Sequence, residues 1–299
     1  MKLRYLSVFA LVLLISSCDL QGVKKTDANE LDSMIEEMMD YNNQGDKKDS
    51  SKNADESVKD KIIEEASDTL RLDNGIVITY FKKGTGSKLK KGDLVKIDYR
   101  MKLEDGKVYD GNHAVKKPYV PFLVGWNQQT SGWDIALKEL RIGDDVDILL
   151  PAKYARGEAG IPGLVPPNSD NTLSIRIIDK YQPIKEGDGI QIYKYDEKRN
   201  PGDSIGFEDE VYLNYWVSSE SNPRYDNSYQ RGETFKMVMG DGNVVPGLYK
   251  ALYYGREGDR LMIKIPAKEA YGKKGLHDLV KPNEDIFYDI QIAKVIKKK

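Results

Sequence analysis

The sequence predicts an α+β protein in which two similar antiparallel sheets, each curled around one short helix, follow one another along the chain. Three observations carry that expectation. Apolar and polar residues alternate with a period of two in several segments, as in strands with one buried and one wet face. The pattern returns at a spacing of roughly 115 residues. Between the strands of each copy lies one short stretch with helix start and stop signals.

In the first copy Val95, Ile97, Tyr99, Met101 and Leu103 alternate with Lys96, Asp98, Arg100, Lys102 and Glu104, and Asp105-Gly106 supplies a tight turn. Val146, Ile148 and Leu150 continue the alternation, as do Leu173, Ile175 and Ile177. In the second copy Leu261, Ile263 and Ile265, then Tyr288, Ile290 and Ile292, do likewise. Ser131 is expected to cap a helix running from Trp133 to Leu140 and closed by Gly143. Its counterpart runs from Gly247 to Tyr254, closed by Gly255. Tyr109-Asp110 returns as Tyr225-Asp226, and Leu150-Pro151-Ala152-Lys153-Tyr154-Ala155-Arg156-Gly157 returns as Ile265-Pro266-Ala267-Lys268-Glu269-Ala270-Tyr271-Gly272. Two domains are therefore expected, at 70–182 and 184–297.

Ahead of them the composition differs. Lys2 and Arg4 precede an apolar run from Leu6 to Ile15, and Ser16-Ser17-Cys18 follows, the pattern of a secretory signal. The run is shorter than the ~20 residues that cross a bilayer. Ile15-Ser16-Ser17-Cys18 also resembles the bacterial lipobox, which implies a lipid on Cys18, a membrane anchor there, and a periplasm-facing place in the bacterial cell envelope. Cys18 is the only cysteine, and its expected lipidation leaves no thiol for a disulfide within the monomer, for cysteine catalysis or for a thiolate metal site. Residues 19–69 are mostly acidic, Lys, Asn and Ser, too polar to offset the entropy of ordering, and are read as a flexible tether.

The net charge of −2 and the lack of a basic stripe argue against nucleic acid as a partner. His113 and His277 lie far apart and read as loop residues. Gly84-Thr85-Gly86 leads into polar residues and a strand rather than a helix, so it is no phosphate cradle. No metal or cofactor is implied.

The ordered anchors of each copy resemble the FKBP immunophilin family. The first copy shows Gly106-Lys107-Val108-Tyr109-Asp110, Gly132-Trp133 and Gly160-Ile161-Pro162 through Val165-Pro166-Pro167. The second shows Tyr225-Asp226, Phe235 through Gly240, Val244-Val245-Pro246-Gly247-Leu248 and Ala270-Tyr271-Gly272. The resemblance implies two tandem FKBP-like domains and a peptidyl-prolyl cis-trans isomerase acting on proline-containing segments of exported proteins. The implied pocket of the second copy consists of Tyr215, Tyr225, Asp226, Phe235, Val244, Val245, Leu248, Tyr271, Val280 and Tyr288, with Leu248 where the family usually has a floor Trp. That of the first consists of Tyr99, Tyr109, Asp110, Trp133, Arg156 and Val165. There Gln129-Thr130 replaces the apolar pair and Arg156 replaces the substrate-bonding tyrosine, so the second copy is the expected isomerase and the first a degenerate relative. The same resemblance makes the Val245 N–H and the Tyr271 hydroxyl the groups that hold the substrate chain, and makes Asp226 the group that orients the aromatics and meets the twisted carbonyl. The alternative is a pair of FKBP-fold modules that bind or brace without catalysing.

Overall fold

The computed structural model describes residues 66, 68–195 and 202–299. Cys18, the signal segment and most of the span read as a tether lie outside the described residues. Within it, Asp68 and Thr69 belong to a strand instead, because backbone pairing with Tyr80 and Thr79 supplies what their side chains cannot.

The first sheet contains β1 (Asp68–Arg71), β2 (Val77–Lys82), β3 (Leu94–Lys102), β4 (Val108–Gly111), β5 (Val120–Leu123), β6 (Asp145–Leu150) and β7 (Asn171–Lys180). The second contains β8 (Lys185–Gly187), β9 (Ile190–Tyr195), β10 (Glu210–Ser219), β11 (Asp226–Asn227), β12 (Phe235–Val238), β13 (Arg260–Ile265) and β14 (Ile286–Ile296). The orders are β1-β2-β6-β7-β3-β4 and β8-β9-β13-β14-β10-β11, with β5 on β3 and β12 on β10. Strand for strand the two topologies coincide, so the sequence repeat is a repeat of the whole fold. Even the irregularity coincides, since β3 shifts register between Lys96 and Ile97 and β10 between Tyr212 and Leu213.

Period-two alternation places Val95, Ile97, Tyr99 and Met101 inside the first sheet, and Val211, Leu213, Tyr215 and Val217 inside the second. Leu94, Asp98 and Ser218 depart from it. Asp98, expected to be wet, is buried, and Arg176, its register partner on β7, holds its carboxylate through Nε at 3.1 Å.

Each sheet curls over one main helix, α1 (Ser131–Leu137) in the first domain and α3 (Pro246–Leu252) in the second. Ser131 is the first helical residue rather than the cap, which is Thr130, and neither helix start has a side-chain capping bond. α3 starts instead through Pro246 in its first turn after an extended Val245, a preset φ where a missing N–H costs nothing. An unanticipated helix, α2 (Ser228–Arg231), follows β11; Asn227 caps it by accepting from the Gln230 N–H at 2.7 Å, and Gly232 ends it at φ 67°.

Candidate active site

Curling places the inner face of β10 and β14 opposite α3, and the gap is not filled. A cavity of about 350 Å³ opens there, lined by Leu213, Tyr215, Asp226, Phe235, Val244, Val245, Leu248, Tyr271, Tyr288 and Ile290, with Gly242, Asn243, Pro246 and Ala270 at its margins. Tyr215 meets Phe235 edge-on at 5.8 Å and Tyr288 at the same distance, while Tyr225 meets Tyr271 edge-on at 6.5 Å. Such contacts fix ring planes as well as burying them.

The polar edge is a three-membered cluster. The Tyr215 hydroxyl donates to Asp226 Oδ2 at 2.5 Å and accepts from Arg231 Nη2 at 2.9 Å. Arg231 Nη1 pairs with the other oxygen of Asp226, and the guanidinium lies 5.5 Å over the Tyr215 ring. Burial, and then the bond to Asp226, pushes the Tyr215 phenol up to about 12. Burial also raises the phenols of Tyr225, Tyr271 and Tyr288. All four are neutral at physiological pH, so the cavity presents hydroxyl dipoles and no phenolate base. Burial lowers the affinity of Arg231 for its proton, but Tyr215 and Asp226 outweigh it, and the group stays charged. Asp226 therefore faces the cavity as a compensated carboxylate.

Of the ten residues expected for this pocket, eight line the cavity. Tyr225 stands beside it, packed against the core with its hydroxyl buried and without a hydrogen bond of good geometry. Val280 is a correction: it is fully buried, bridging Leu276 where the loop closes on itself, because the short turn folds its side chain into the core. Arg231 is the principal residue that sequence reading missed. Its signal lay in Asn227-Ser228-Tyr229-Gln230-Arg231-Gly232, where an N-cap residue, a Gln three residues later and a closing Gly mark one helical turn. Leu213 and Ile290 were also legible, two residues from Tyr215 and Tyr288 on the same strand faces.

The first copy assembles the equivalent groups differently. Trp133 is sealed between Tyr99 and Phe122, each 5.2 Å from it. Val165 is buried, and Tyr109 donates to Asn171 Oδ1 at 2.8 Å. Asp110 accepts from the Tyr99 hydroxyl and the Gly111 N–H, and burial raises its carboxyl despite them. Counting from Asp226 to Arg231 leads in this copy from Asp110 to Val115, so no arginine stands at that place. Arg156 reaches across instead and donates to Gln129 Oε1 at 3.2 Å, its Nε and the neighbouring Thr130 hydroxyl buried without partners. A cation and a polar lip thus occupy what is apolar in the second copy.

A recess lined by aromatic rings between a curled antiparallel sheet and one short helix, on a fold occurring twice, defines a tandem α+β protein with a candidate binding cleft. The chain belongs to the FKBP-type peptidyl-prolyl cis-trans isomerase family, whose model matches residues 85–178 and again 202–293. It is 26% identical over 204 residues to the human peptidyl-prolyl cis-trans isomerase FKBP9, covering 68% of this chain and 35% of that protein. It is 36% identical over 128 residues to FK506-binding protein 3 of Eremothecium gossypii, covering 43% of this chain and 28% of the relative. The chain thus spans about a third of the length of the curated relatives it matches. Among solved structures, that of the three FKBP domains of wheat FKBP73 aligns with a TM-score of 0.38 at 22% identity, over 76% of this chain and 97% of that one.

Proposed function

We propose that the second domain catalyses cis-trans isomerisation of X-Pro bonds, and that the protein does so for exported chains at the bacterial cell envelope, anchored by lipid on Cys18. The observation that carries the catalytic reading is the aromatic cavity over α3, where Val245 lines the wall and its N–H has no partner among the backbone hydrogen bonds of the described residues. The envelope reading is supported by Lys2, Arg4, the apolar run and Ser16-Ser17-Cys18.

The chemistry requires no nucleophile. The amide barrier of about 18–20 kcal/mol comes from resonance in the planar form, which also separates charge between nitrogen and oxygen. Twisting the bond removes that resonance and leaves a less polar group. Water solvates the planar form better, whereas the apolar wall of Phe235, Val244 and Leu248 does not. The cavity thus discriminates in favour of the twisted state, and only such differential binding accelerates a reaction. A 10⁴-fold acceleration needs roughly 5.5 kcal/mol of difference. The Val245 N–H would hold the carbonyl preceding the susceptible bond and the Tyr271 hydroxyl the substrate chain. Asp226, charge-balanced by Arg231, fixes the Tyr215 ring without setting a bare anion against the substrate carbonyl.

A protease-coupled assay on a short X-Pro peptide with the full chain tests this. The expected result is acceleration above the thermal rate, reduced at least tenfold in Asp226→Ala and unaffected by Arg156→Ala. A rate equal to background for the unaltered chain would leave the alternative, a pair of binding modules. Acylation of Cys18 is checked by mass spectrometry of the membrane-extracted protein, and an unmodified, freely soluble chain would end the anchor reading.

A further inference from the structure

The outer face of the second sheet carries Tyr193 on β9, Met262 on β13 and Phe287 on β14, all buried, although a sheet face turned away from its own core is ordinarily polar. What covers them is the first domain. Leu94, Leu123 and Trp126 join the three in one apolar cluster, with the Trp126 ring 6.0 Å from Phe287 and only 1% of the residue exposed.

Trp126 is presented by a turn built to hold it. Gly125 and Asn127 on either side adopt left-handed φ of 74° and 50°. Their N–H groups donate to the two oxygens of Asp134, on α1, at 3.1 and 2.8 Å. The same turn makes a second attachment. Asn127 Nδ2 donates to the Glu220 carbonyl at 3.2 Å, and Lys91 pairs with the Glu220 carboxylate at 2.6 Å.

Both attachments lie one short step from the cavity. Phe287 and Tyr288 are consecutive on β14 and point to opposite faces, so the side chain under Trp126 and a lining side chain share a peptide bond. Glu220 directly follows Ser219, the last residue of β10, and opens the turn that delivers Tyr225 and Asp226. In the second copy the equivalent loop starts at Gly240, and its later part, Gly242 to Val245, lines that copy's own cavity. In the first copy it grips the neighbouring domain.

We propose that the first domain is a positioning domain for the second. Through Trp126 and Asn127 it fixes where Tyr288 and the Tyr225-Asp226 wall stand, in the cleft assigned above to prolyl peptides. Trp126 and Asn127 are positioning residues, acting through Phe287 and Glu220 and touching no substrate.

The test uses the full chain and three variants: Trp126→Ala, the conservative Trp126→Phe, and Asn127→Gly, which keeps the left-handed backbone and removes only the donor. Aromatic ¹³C NMR signals of Tyr225 and Tyr288 are read, with Tyr249, hydrogen-bonded to Asp241 within the second domain, as the internal reference. Expected are shifts of both signals in Trp126→Ala, of Tyr225 in Asn127→Gly, and little change in Trp126→Phe or at Tyr249. KM for a prolyl peptide then rises about fivefold in Trp126→Ala, the low end of coupling between sites, with kcat changed less. Unmoved Tyr225 and Tyr288 signals in the folded variants would overturn the proposal; should Trp126→Ala fail to fold, Asn127→Gly decides. If the unaltered chain has no turnover and the signals still move, positioning stands and the isomerase reading fails.

Discussion

Replacing Gly247 with alanine sets two effects of known sign against each other. Gly247 is the second residue of α3 and immediately precedes Leu248, which lines the cavity floor. Alanine is the better helix former, a gain of up to ~1 kcal/mol. Against that, a Cβ there would stand 2.3 Å from Ile265 Cγ2 and 3.1 Å from the Glu269 carbonyl oxygen. The first separation is more than 1 Å inside the ~3.5–4.0 Å at which carbon pairs attract. Ile265 is fully buried on β13 and β-branched, so its methyl has nowhere to swing. Overpacking of this kind costs about 1–3 kcal/mol, and the upper end applies where both neighbours are fixed. The clash wins, with a net loss of about 2 kcal/mol, or a fall in melting temperature of roughly 4–8 °C for a folded region of this size. The assay is thermal and urea unfolding of the full chain, followed by the peptide isomerisation rate below the transition. Relief of the clash moves α3 outward and Leu248 with it, so the rate falls even where the protein is folded. A variant as stable as the parent, or more so, would show that β13 and α3 are not in the close contact described and would refute the reasoning.

Tyr215→Phe removes a charge-assisted hydrogen bond to Asp226 in a half-exposed setting, where solvent screens the charge, and should cost about 1–1.5 kcal/mol in urea unfolding; a change below ~0.5 kcal/mol would mean that Arg231 alone satisfies the carboxylate. Tyr225→Phe removes a buried hydroxyl that lies near the Tyr271 hydroxyl without a hydrogen bond of good geometry, so stability should change by less than about 1 kcal/mol while KM for the prolyl peptide rises; an unchanged KM would show that this hydroxyl does not meet the substrate. Asp241, beside the cavity lip, is drawn down to about 2 by the Tyr249 hydroxyl and the Asn243 N–H. A depressed carboxyl stabilises the fold above its ordinary value of 3.8 and loses that contribution as pH falls through the folded value. Asp241→Asn should therefore be less stable than the parent above pH 4, with the gap closing toward pH 2; a gap unchanged with pH would assign the effect to packing.

Local pattern determined most of what the chain is. The alternation through Tyr99 and Tyr215 shows which side chains turn inward because a strand has only two faces, and duplication of the anchors doubles the signal. Alternation by itself turned Tyr215 and Tyr288 inward, while the rest of the expected pocket, and the swaps at Arg156 and Gln129, came from the resemblance of the ordered anchors to the family; eight of the ten residues so implied line the cavity. Only the tertiary structure decided the rest. Val280 turned inward because a loop closed on itself, and Arg231 met Asp226 because one unforeseen helical turn brought it round. The burial of Tyr193, Met262 and Phe287 under Trp126 joins residues from opposite ends of the chain. A sequence states what each segment prefers to bury; which surface it buries it against depends on contacts between distant segments, and these exist only once the chain has folded.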